Sequence, residues 1–133
     1  MPRSHATDET VAKLLEPYTP EIQDLALKTR DLVDELADGA EVEVDPADKL
    51  LAYSFIPGTY KGLILTIAPQ RKYVNIVFAK GVEMLNEGLD DKGLLEGTGK
   101  QARHIKVRDE EVLRDPTTRR LIESAVARTP RSK

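Results

Sequence analysis

Cysteine is absent from this chain of 133 residues. That absence excludes a disulfide scaffold, a thiol nucleophile, a Cys-x-x-Cys redox pair and any Cys-ligated zinc or iron–sulfur site. Tryptophan is absent as well, and four Tyr with two Phe hold the aromatic share to 5 %, so the core must be mostly aliphatic. The longest apolar run, Leu63, Ile64 and Leu65 carried through Thr66 to Ala68, is far too short to cross a bilayer. The opening residues, Met1-Pro2-Arg3-Ser4-His5, contain no apolar leader core, so the expectation is a cytoplasmic chain away from membranes. A basic excess is missing too. The net charge is −3, whereas chains that grip nucleic-acid backbones usually carry a positive balance, so specific nucleic-acid binding is not expected.

What is present is a globular composition, 40 % hydrophobic and 32 % charged, at a length that suits one core. The reading is a single domain over residues 9–128, with polar, frayed tails at 1–8 and 129–133. The charge is polarised along the chain. Residues 21–48 carry ten acidic side chains against two basic ones, whereas residues 100–133 carry ten basic against five acidic. Lobes of opposite sign can orient a partner, or can simply solvate the surface.

The hydrophobic pattern changes period twice. A short helix is expected over residues 10–15, punctuated by Pro17 and Pro20. The clearest helix begins at Thr19 as N-cap with Pro20 at its first position, and Gly39 supplies a left-handed stop. Ile22, Leu25, Ala26, Leu32, Val33, Leu36 and Ala37 recur at steps of three and four and form one buried stripe. Period two then takes over, with strands expected at 41–45, 50–56, 62–68 and 73–78, the last two joined too closely for anything but an antiparallel hairpin. Residues 81–99 hold five glycines and read as a long loop with one helical turn at 82–85. A strand at 102–108, a turn at 109–113, and a final helix with Asp115 as cap and Pro116 at its first position complete the chain. Strands grouped in the middle and helices at the ends imply an α+β fold: an antiparallel sheet of about five strands with two or three packed helices.

Three constellations carry chemical interest. Asp31, Asp34, Glu35 and Asp38 stand at i, i+3, i+4 and i+7 on the long helix, which places four carboxylates on one exposed stripe. Hard oxygen ligands grouped in this way suit iron, manganese or calcium at a surface, and they equally suit a solvated helix face. Lys100, His104, Lys106 and Arg108 share one strand face, opposite Ile105 and Val107, and with Arg103 they form a candidate anion or partner site. Like charges on a strand face need something negative nearby, whether Asp109 to Glu111, an acidic neighbouring strand or a ligand. Third, Tyr53, Tyr60, Tyr73, Phe78 and Met84 can line a cleft under the glycine loop or pack as ordinary core.

The segment Gly97-Thr98-Gly99-Lys100 is not a Walker loop. The required leading glycine is Leu94, the residue after the lysine is Gln101 rather than Ser or Thr, and a strand follows where a helix is needed. No Gly-x-Ser-x-Gly elbow exists, and one ordered histidine, His104, cannot build a typical zinc site.

The stretch from Gly93 to Arg108, read as Leu94-Leu95-Glu96-Gly97 and Gly99-Lys100 leading into Arg103-His104-Ile105-Lys106, resembles the signature of YdhG-like domains of unknown function. In that family a glycine-rich loop enters such a strand, followed by an acidic turn and a closing helix. The preceding hairpin and long helix look like the same layout, so the resemblance spans about residues 20–127. It implies a small α+β domain similar to frataxin, and some members are labelled iron chaperones. It implies no agreed active-site residues, and this chain lacks the mid-domain Trp that many relatives carry. The functional expectation is a binding module without catalysis, possessing no certain cofactor. The leading reading is a frataxin-like carrier with iron on Asp31, Asp34, Glu35 and Asp38. The alternative is an anion-, small-ligand- or protein-partner-binding domain using the basic strand face.

Overall fold

The computed structural model describes residues 4–132. Six strands form one antiparallel sheet in chain order: β1 (Ser4–His5), β2 (Glu41–Asp45), β3 (Leu50–Ser54), β4 (Leu63–Pro69), β5 (Val74–Phe78) and β6 (Arg103–Val107). The helices are α1 (Asp8–Leu15), α2 (Pro20–Leu36), α3 (Gly81–Asn86), α4 (Glu110–Arg114) and α5 (Pro116–Arg128). The α+β antiparallel architecture is therefore as expected.

Local chemistry explains the element ends. Thr19 accepts a hydrogen bond from the Ile22 amide and Asp115 one from the Thr117 amide, each with proline at the following position. Gly39 adopts φ +85 just past α2, where a side chain would be strained. The register pairs Leu51 with Ile67 and Ile67 with Ile76, and Ile76 with Ile105, so these side chains share one sheet face. Buried side chains of α1, α2, α3 and α5 join that face in a single aliphatic core. A shift in the β3–β4 register beside Tyr53 and Ser54 leaves Ile64 buried as well, out of the strict alternation. Gly81 is required for close approach, because a Cβ there would sit 2.5 Å from the Arg103 Cβ.

Two expectations about the tails differ from the structure. Ser4 and His5 pair with Val44 and Glu43, and Thr7 caps α1 through a reciprocal bond with Thr10. An edge strand of two residues has too few side chains to show a period, which is why the pattern suggested a frayed start. At the other end the Arg131 guanidinium lies 4.0 Å from the centre of the Phe55 ring and donates to the Asp38 carbonyl. The remainder of the expected tails, residues 1–3 and 133, lies outside the described residues.

Candidate functional site

Asp31, Asp34 and Glu35 lie on α2, whereas Asp38 falls in the turn after the helix has ended at Leu36, so the expected four-residue helix stripe is three residues long; all four side chains are exposed, but they do not act together. Asp34 accepts a 2.6 Å hydrogen bond from the Tyr53 hydroxyl and lies 3.7 Å from Arg30 Nε. Glu35 pairs with Arg119 of α5 at 2.7 Å. Asp38 contributes its backbone carbonyl to Arg131, and Asp31 faces solvent. Among the described residues no group of three or more His, Asp or Glu side chains is gathered in a way that can hold a metal ion. Tyr53 is fully buried, and that burial, reinforced by the Asp34 hydrogen bond, pushes its hydroxyl well above the usual phenol range. The bond fastens α2 to the centre of the sheet.

The basic strand has the expected parity, with Ile105 and Val107 buried and His104 and Lys106 half-buried on the other face. Its negative neighbour is Glu96 of the glycine loop. Glu96 forms a two-bond bridge with the His104 backbone, and its carboxylate lies 3.5 Å from Lys106 Nζ. Lys106 and Arg108 also sit over the Tyr73 ring, at 5.1 and 5.7 Å. Asp109, Glu110 and Glu111 serve α4 instead: Asp109 caps it, and both glutamates pair with Arg114. Arg103 turns back to its own loop through the carbonyls of Gly99 and Ala102. Lys100 is exposed on that loop, three residues before β6 begins, rather than on the strand itself.

The glycine loop itself is bolted down. The Asp90 carboxylate accepts from the amides of Leu94 and Leu95, each at 2.8 Å, while Asp91 pairs with Arg120 and Lys92 with Asp115. Thr117's amide and Lys92 together hold the Asp115 carboxyl below its ordinary range. Of the two alternatives for the aromatic group, ordinary core packing holds for Tyr53, Phe78 and Met84, which are fully buried, while Tyr60 is exposed and donates to the Ala79 carbonyl.

A cleft lies elsewhere, where sequence reasoning did not place one. Its volume is about 650 Å³, and it opens between α1 and two hairpin turns at one end of the sheet. Leu14, Pro17 and Tyr18 form one wall, and Val44, Pro46 and Pro69 the other. Lys13, Lys49 and Arg71 reach its rim together with one carboxylate, Asp48. Lys49 and Arg71 come from turns more than twenty residues apart in the chain, and the Leu51–Ile67 pairing brings those turns side by side. None of the three cations makes an ion pair with a described residue. One signal was available in the chain: residue 49 closes a hairpin at a place that favours glycine or asparagine.

The fold and cleft together define a small helix-backed antiparallel sheet with a partly apolar, cation-rimmed cavity. No family model, curated protein or solved structure matches the chain. No described helix is long and apolar enough to cross a membrane.

Proposed function

We propose that this protein is a small-ligand-binding module, without catalysis, whose ligand occupies the cleft between α1 and the two hairpin turns. One observation carries the reading: a cavity of about 650 Å³ walled by Leu14, Pro17, Tyr18, Val44, Pro46 and Pro69. Cavities of roughly 300–1,000 Å³ with mostly apolar walls and a few polar groups are where proteins take small molecules. Kinship with YdhG-like domains, drawn from the Gly93-to-Arg108 motif, belongs to the same proposal and is compatible with a binding role. The carrier reading, with metal on Asp31, Asp34, Glu35 and Asp38, has less geometric support, because Asp34 and Glu35 are engaged by Tyr53, Arg30 and Arg119.

Amide chemical-shift mapping with a library of small apolar compounds tests the reading. Shifts should concentrate at Thr10, Leu14, Tyr18 and Val44, and Leu14→Trp should abolish them by filling the cavity. Shifts confined to residues 31–38, above all on adding ferrous iron or manganese, would return the function to the acidic stripe.

A further inference from the structure

We infer that the ligand of this cleft is an amphipathic oxyanion, an apolar body carrying one carboxylate or phosphate held by Lys49 and Arg71. The inference rests on the cleft being the binding site and adds the chemistry of its occupant. Its first support is charge. Elsewhere most cations of the chain are engaged, as in Arg128 with Glu87, Arg120 with Asp91, Arg119 with Glu35 and Lys28 with Asp24 and Glu110. Lys13, Lys49 and Arg71 converge on a mostly apolar cavity with only Asp48 among them. Cations gathered beside low-dielectric walls attract one another's counter-charge strongly, and an apolar body with an anionic head satisfies both surfaces.

The second support is backbone geometry. Five described glycines adopt positive φ, and Lys49, at φ +56, is the only described residue other than glycine to do so. At the left-handed position of this turn glycine carries no steric penalty, whereas a lysine does. The chain therefore keeps a strained lysine where its side chain reaches the cleft, the pattern expected when the side chain has a task. The third support is continuity. Arg71 also lines a shallower hollow of about 400 Å³ with Gln70, Lys72 and Tyr73, and Tyr73 underlies Lys106 and Arg108. Positive charge thus extends beyond the Arg71 side of the cavity. By register Lys49 lies beside Pro69, close to the turn that carries Arg71, and the head group belongs at that junction.

Titration of the full chain with octanoate, octyl phosphate and octanol, each below its aggregation limit and followed by calorimetry and amide shifts, tests the inference. At low salt the tighter-binding oxyanion should exceed octanol by roughly tenfold, the scale of one charge-assisted contact, and the tighter of the two names the head group. That preference should shrink at about 0.15 M salt, where the screening length is about 8 Å. Lys49→Gly and Arg71→Gln should each remove most of the preference for oxyanion over octanol, and Lys49→Gly should fold at least as stably as the parent. Octanol binding as tightly as both oxyanions, or full preference retained in both variants, would overturn the inference while the cleft reading survived. Failure of all three compounds to move the cleft amides would overturn both.

Discussion

Where β5 ends and β6 begins, charge is matched: Arg128 bridges Glu83 and Glu87, Arg120 holds Asp91, Lys92 holds Asp115, and Glu96 meets Lys106. At the opposite end, where α1 leans over the two hairpin turns, Lys13, Lys49 and Arg71 surround a cavity without such partners among the described residues. Both regions consist largely of turns and loops, so the contrast does not follow from loop content. The matched region ties 24 residues of connection between β5 and β6 to α5 and buries two of its own residues, Gly81 and Met84 of α3. The unmatched region leaves apolar surface and cations available together. A loop motif that draws the eye in sequence is here a structural strap, and an inconspicuous pair of hairpin turns frames the cavity.

The contrast can be broken from either side. Met84→Ala, in the fully buried wall of the matched region, should lower unfolding free energy by about 3 kcal/mol in urea denaturation, the usual cost of emptying a core site. Leu14→Ala, on the half-buried cleft wall, should cost less than about 1 kcal/mol in the same assay. Equal losses at both positions would mean that the cleft end is packed as tightly as the strap.

Tyr53→Phe removes the hydroxyl that fastens α2 to the sheet and should cost about 1 kcal/mol at neutral pH. Burial raises the folded Tyr53 pKa above the ordinary 10.0, so the folded state keeps a proton that the unfolded state releases. Tyr53 therefore contributes full pH-linked stability below about pH 10 and loses it progressively above that value, a decline that Tyr53→Phe should flatten. Denaturation midpoints between pH 8 and 11 measure it.

Arg128→Ala should lower the thermal midpoint by roughly 3 °C at pH 7, since its glutamate partners are solvated although Arg128 itself is only 15 % exposed. Its hydrogen bond to Glu87 holds that carboxyl below the ordinary 4.5, so the contribution is present above 4.5 and lost as pH falls through the lowered folded value. The difference between parent and variant should accordingly vanish in acid. The smallest expected effect has the opposite sign: Lys49→Gly should stabilise the fold by about 0.5 kcal/mol, by relieving the left-handed lysine against glycine's added chain entropy.

Much of the fold could be read from the chain because its signals are local. Thr19-Pro20 and Asp115-Pro116 mark helix starts through their own side chains, and period two over residues 63–67 and 74–78 marks strands that must pair through a short turn. The parity of Ile105 and Val107 correctly placed Lys106 on the other face. What escaped were the partners. Glu96 was not foreseen opposite Lys106, nor Arg119 opposite Glu35, nor Arg131 on Phe55, because each joins residues from separate segments. The cavity escaped for the same reason, although the left-handed turn at Lys49 was a local clue.

By itself the sequence determined the helix caps, the alternation of buried and exposed strand positions, and the antiparallel order of close neighbours. These depend on backbone sterics and on side chains only a few residues apart. Tertiary structure alone decided which charges neutralise one another and which remain around open space. Sheet register sets those distances, and register is a property of the whole packed core.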